Sequence, residues 1–157
     1  MSVEPAPVRD RIVVGVDGSP PSQQALRWAR FLAHVTGATM EAVAVWHPLA
    51  TYGFTGAKWA AFPGDWNPLE DARRVLLDTI EEALGEQQPP GLHTTVHEGT
   101  PARVLLEVSR DARMLVVGSR GHGGFTGLLL GSVSAAVAEH ATCPVFIVHG
   151  STPPPQA

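Results

Sequence analysis

The sequence predicts an α/β fold: a single doubly wound parallel sheet of five strands with helices on both faces. Five short apolar or β-branched runs recur along the chain, segments of helical spacing separate them, and Gly- and Pro-rich turns punctuate the two. An end-to-end alternation of strand and helix is the pattern of right-handed parallel crossovers, which bury a sheet on both sides. With 157 residues and 44% hydrophobic content the chain has the material for one domain. Residues 10–149 form that domain in this reading. Residues 1–9 and the Pro-rich 150–157 (GSTPPPQA) lack apolar periodicity and are expected to be flexible tails.

Ile12-Val13-Val14-Gly15-Val16 reads as a central strand that runs into Asp17-Gly18-Ser19-Pro20, a turn followed by a helix cap. Leu26, Ala29, Phe31, Leu32 and Val35 then repeat at helical spacing until Gly37. Thr39 to Trp46 is the second strand. His47 to Trp66 shows little regular period and reads as a long loop, a length usual for lids and binding segments. From about Asn67 to Gln87, Leu69, Ala72, Val75, Leu76, Thr79, Ile80, Ala83 and Leu84 mark a second helix, ended by Pro89-Pro90-Gly91. Leu92 to His97 alternates weakly, as an edge strand does. Thr100 as cap and Pro101 at the first helical position open a third helix through about Arg110. Met114 to Val117 is a buried strand, Ser132 to His140 a fourth helix, and Pro144 to Val148 the last strand.

Charge and cysteine content narrow the function classes. The net charge is −4, and the ten arginines and single Lys58 are scattered without a run, so neither a nucleic-acid groove nor an anionic membrane surface is expected. No stretch of 18 apolar residues suggests a membrane span. Cys143 is the one cysteine, which excludes an intrachain disulfide and suits a reducing compartment; a cytoplasmic protein is expected.

The chemistry concentrates where glycines follow the fourth strand. Gly118-Ser119-Arg120-Gly121 and, nine residues on, Gly131-Ser132 lie in a strand-to-helix crossover, whose helix start leaves N–H groups unpaired and favours negative charge. Gly118 and Gly121 would let a ribose and α-phosphate approach. Gly131 and the amides of Ser132, Val133 and Ser134 would meet the outer phosphates, with the hydroxyls of Ser132 and Ser134 as further donors. The same glycines would equally suit an ordinary turn, since Gly123, Gly124 and Gly127 also fall here. Asp17 ends the first strand, where a carboxylate can hold ribose hydroxyls or a Mg²⁺ carried by phosphates; a turn role suits it as well. If the first and fourth strands are neighbours, Asp17 and Gly118 share one cleft.

Other signals are weaker. GxxxxGK[ST] is absent, as is GxGxxG after the first strand. His122, just inside the loop, could touch a phosphate, although a lone loop histidine is more often merely solvated. His93 and His97 lie about 13 Å apart on one strand face, too far for one ion. Tyr52, Phe54, Trp59, Phe62 and Trp66 surround the long loop, where they would wall an adenine or simply pack the loop on its own domain. No Ser-His-Asp or Cys-His motif is evident.

Taken together, IVVGVDGS, the Glu98-Gly99-Thr100-Pro101 turn, VVGSRGHGG, LLLGSVS and the closing CPVFIV make the chain resemble the universal stress protein family from Arg11 to His149, and within it the ATP-binding branch. The resemblance implies strand order 3-2-1-4-5 and a homodimer joined through Pro144 to Val148. It also implies that Gly15, Val16 and Asp17 line the adenosine side, with Asp17 near the ribose or the metal. Trp46, or Val45 beside it, would contact adenine; Gly118, Ser119, Arg120 and Gly121 would follow the ribose and α-phosphate, and Gly131, Ser132, Val133 and Ser134 the outer phosphates. The family more often has an aliphatic residue where this chain has Trp46. The function implied is that of an ATP-binding stress or regulatory protein with slow hydrolysis at most. Two alternatives stand beside it: an adenine-nucleotide-dependent enzyme (adenylyl transfer or ATPase), and a nucleotide-free interaction module.

Overall fold

The computed structural model describes residues 10–47, 65–120 and 130–156. Tyr52, Phe54, Trp59, Phe62, Gly121, His122 and the 1–9 segment lie outside them. Five strands, β1 (Arg11–Gly15), β2 (Thr39–Trp46), β3 (His93–Glu98), β4 (Met114–Gly118) and β5 (Val145–Val148), form one all-parallel sheet in the order β3-β2-β1-β4-β5. Four α-helices connect them: α1 (Pro20–Thr36), α2 (Pro68–Leu84), α3 (Pro101–Val108) and α4 (Ser132–His140). The fold class and strand order are those expected.

Alternation along each strand divides the core into two layers. Even-numbered Ile12, Val14, Met40, Ala42 and Val116 face α1 and α2, where they meet Leu26, Ala29, Leu76 and Ile80. Odd-numbered Val13, Val43, Leu115 and Val117 face α3 and α4, against Val104, Leu105 and Val137. Both faces of β1 and β4 are therefore covered, which is why these strands read as unbroken apolar runs.

Helix ends follow local chemistry. Ser19 caps α1, its hydroxyl accepting from the Ser22 amide at 3.3 Å, and Gly37 closes the helix at φ 73°. Asn67 caps α2 by accepting from the Leu69 amide at 3.0 Å. That helix stops at Leu84, short of the predicted Pro89-Pro90-Gly91, because Gly85 at φ 50° breaks it into a 3₁₀ turn over Gly85–Gln87. Thr100 holds the cap position of α3, yet its side chain makes no cap bond.

One buried polar cluster sits at the amino-terminal end of the sheet. Glu41, 8% exposed in the otherwise apolar β2, is paired with Arg11 and accepts from Thr95 Oγ1 at 3.0 Å. Arg11 also donates to the Val108 carbonyl at 2.7 Å and to Asp111 at 2.9 Å. This ties β1, β2, β3 and the end of α3 together at the end remote from the glycine crossover, where a buried carboxylate without its cation would be costly.

Among the described residues no strand pairs with the outer side of β3 or of β5. β3 carries His93, Thr94, Thr95, His97 and Glu98, a polar edge that discourages further pairing. β5 carries Val145, Phe146 and Ile147, all half-buried. Phe146 packs on Trp28 with ring centroids 5.2 Å apart, and the Trp28 indole donates to the Thr152 carbonyl at 2.9 Å.

Candidate functional site

The sheet changes its winding direction between β1 and β4. These strands are direct neighbours, with Ile12 opposite Met114 and Val14 opposite Val116, so the chain leaves the two carboxyl ends side by side. Asp17 and Ser119 accordingly emerge at one crevice, the place where open α/β sheets bind ligands.

On the β1 side, Gly18 turns the chain at φ 84° and Asp17 is exposed. Asp17 Oδ1 accepts from the Ser19 amide at 2.9 Å and from the Ser19 hydroxyl, so the carboxylate braces the turn that starts α1. The cap itself is Ser19. Asp17 thus has the turn role the sequence allowed, in a fixed orientation at the crevice. Val16 is 5% exposed with its side chain in the α1/α2 layer, so it could meet a ligand only through its backbone. A Cβ on Gly15 would lie 3.0 Å from Leu105 Cδ1, so this glycine gives the Leu105 side chain of α3 room against the end of β1.

Strand β2 overshoots β1 and forms a wall beside Asp17. Gly15 is opposite Val43, and the Val16 amide donates to the Val43 carbonyl at 2.9 Å. Val45 and Trp46 therefore stand beyond the end of β1, both half-buried, with the Trp46 carbonyl held by the Gly99 amide at 2.9 Å. Val45 packs toward the α3/α4 layer.

On the β4 side the structure revises the reason for Gly118. A Cβ there would stand 2.8 Å from Pro21 Cβ and 3.0 Å from the Pro21 carbonyl carbon and oxygen. The glycine lets the first turn of α1 lie on the end of β4, a packing demand that holds whether or not a ligand also approaches here. Ser119 is 6% exposed, and its amide donates to the Val148 carbonyl at 2.8 Å. Arg120 is exposed.

Helix α4 begins at Gly131, which has φ −70° and ψ 170° and offers no side-chain cap. The Gly131 amide donates to the Ser119 carbonyl at 2.7 Å. Ser134 is 2% exposed, and its hydroxyl donates to the same Ser119 carbonyl at 2.8 Å and to the Gly131 carbonyl at 3.1 Å. The expectation that the Ser134 hydroxyl faces a phosphate is therefore corrected: it points inward and fastens the helix to the strand. Ser132 is exposed and Val133 half-buried. Amides of the first helical turn have no intrahelical acceptor, and among the described residues no side chain caps them, so this helix start presents donors and a positive dipole end to an anion.

The sequence reading missed Pro21 and the inward Ser134 bond. A Pro-Pro pair opening α1 and a serine three residues after a glycine cap were the available signals. Among the described residues no group of three or more His, Cys, Asp or Glu could hold a metal ion by itself. Mg²⁺ bound through phosphate oxygens and waters needs only one or two carboxylates, a demand that Asp17 fits. Among the described residues no helix is long and apolar enough to cross a membrane.

Comparison with known proteins agrees with this geometry. Residues 9–149 match the universal stress protein family. A universal stress protein of Mycolicibacterium smegmatis is 38% identical over 138 residues, 87% of this chain and 45% of that protein. One from Mycobacterium tuberculosis H37Rv is 36% identical over 148 residues, 92% of this chain and 46% of that protein. The chain thus spans about half the length of the curated relatives it matches. A solved universal stress protein described as in complex with cAMP superposes with a TM-score of 0.65 at 26% identity, covering 88% of this chain and 96% of that one. With the family matched across nearly all of its length and its five-stranded topology in place, the chain belongs to the universal stress protein family.

Proposed function

We propose that this protein binds ATP with Mg²⁺ in the crevice between the ends of β1 and β4, as a nucleotide-dependent stress-response or regulatory protein of the cytoplasm. The observation that carries this reading is the apposition of two elements on neighbouring strands. Asp17 stands at the end of β1, and the uncapped start of α4 is hydrogen-bonded to Ser119 at the end of β4. The solved relative described with cAMP supports an adenine nucleotide as the class of ligand.

In this reading the amides of Ser132, Val133 and Ser134 bind the outer phosphates, while Gly15, Val16 and the Gly118–Gly121 stretch follow the ribose and α-phosphate. The β2 wall of Val45 and Trp46 borders the adenine. Mg²⁺, when bound, neutralises phosphate charge, and Asp17 is the residue that would hold it. Hydrolysis is slow at most, because the sequence lacks the phosphate-loop lysine, and Arg120 alone does not supply the paired base and arginine that accelerate phosphoryl transfer. The half-buried apolar edge of β5, Pro144 to Val148, joins two chains into a homodimer, since an apolar edge strand favours a cover.

Calorimetric titration with ATP and Mg²⁺ tests the site. Asp17→Asn retains an acceptor for the Ser19 amide and hydroxyl while removing the charge. Its affinity is expected to fall by about 1–3 kcal/mol, the range for a lost charged hydrogen bond. Wild-type affinity would leave Asp17 with its turn role alone.

A further inference from the structure

We infer that Ser134 is a positioning residue of the nucleotide site: its buried hydroxyl sets where the first-turn amides of α4 point, and it makes no bond to the ligand. The inference rests on the nucleotide reading above. The Ser119 carbonyl accepts twice, from the Gly131 amide at 2.7 Å and from Ser134 Oγ at 2.8 Å. The second of these reaches back from the third residue of the helix. Together they fix the position of the helix start and hold its first turn in the rotation that the core packing of Val137 sets further along the helix.

The anchor is itself rigid. Ser119 is buried, and its amide is bonded to Val148 of β5, so the carbonyl belongs to the sheet. Ser134 Oγ also donates to the Gly131 carbonyl at 3.1 Å, the same carbonyl that accepts the Ala135 amide at 3.0 Å as the helix's first intrahelical bond. Donors fixed before a ligand arrives do not have to be ordered at binding, so their worth to an anion depends on this hydroxyl. Ser119 and Gly131 are bonded directly to each other, so the helix start is clamped to the end of β4.

The test compares ATP with adenosine, because only ATP uses the α4 amides. In Ser134→Ala, the gain in affinity of ATP over adenosine is expected to shrink by about five- to tenfold, one hydrogen bond's worth, while adenosine affinity stays at the wild-type value. Ser134→Thr, which keeps the hydroxyl, is expected to restore the gain. Ser134→Cys fills the same space with a weak donor and should repeat the alanine result even if alanine weakens the fold. An ATP-over-adenosine gain unchanged in Ser134→Ala or in Ser134→Cys overturns the positioning role. A parallel loss for both ligands overturns it too, since it would show only general loosening. Wild-type protein that binds neither ligand would instead defeat the nucleotide reading itself, a separate outcome.

Discussion

Gly131→Val is expected to give a folded protein that no longer takes up ATP. Gly131 has φ −70° and ψ 170°, a conformation any residue adopts, so valine imposes no backbone strain. The helix loses no side-chain cap, and because Gly131 is buried the valine methyls overpack its surroundings at a cost of about 1–3 kcal/mol, less than the stability of an ordinary domain. From that buried position the branched methyls would crowd the start of α4, where in the proposed reading the outer phosphates come within hydrogen-bonding distance of the amides of Ser132, Val133 and Ser134. Charge-assisted hydrogen bonds contribute about 1.5–3 kcal/mol each. Disturbing several together lowers ATP affinity by at least about a hundredfold. Titration beside a thermal melt measures both halves of this expectation; near wild-type affinity would place the phosphates elsewhere.

Gly118→Ala is expected to act on the fold first. The added Cβ would meet Pro21 at 2.8 Å on its side chain and 3.0 Å on its backbone, and neither partner yields cheaply. β4 is hydrogen-bonded to β1 on one side and β5 on the other. The start of α1 is held by the Ser19 cap and by the Asp17 carboxylate. Overpacking of this kind costs about 1–3 kcal/mol. In urea the unfolding midpoint should drop with the slope unchanged, the mark of lost stability without altered compactness. ATP affinity should fall as well, because a displaced α1 start carries Asp17 with it. Weakened binding at undiminished stability would instead return Gly118 to the role the sequence suggested, a glycine kept for ligand approach.

These two glycines show what could be read from the residues and what could not. The fold was legible because each layer imposes its own period: the unbroken Ile12–Val14 and Leu115–Val117 runs lie between two covered faces, while the weak alternation at Leu92 to His97 marks an edge. The place of the crevice was legible too, since Asp17 and Gly118 each follow an apolar strand. Long-range geometry was not. That Gly118 lies against Pro21, 97 positions earlier, depends on β4 docking beside β1, and no local pattern records it. Arg11 and Glu41 pair across 30 positions for the same reason, although a lone glutamate inside an apolar strand already signals a buried partner. Ser132 and Ser134 look equivalent in sequence; only the helix places one in solvent and the other against Ser119. Gly85 stopped α2 at Leu84, a few residues before the expected end near Gln87, because its positive φ breaks the helix into a 3₁₀ turn.

An adenine nucleotide held in the crevice between β1 and β4 is expected to accompany the protein through purification. Denaturing protein purified from cells and separating the released small molecules by chromatography with mass detection tests it most directly. The predicted result is an adenine nucleotide released at about one equivalent per chain. Protein that releases none, and stays empty after incubation with ATP and Mg²⁺, would contradict it.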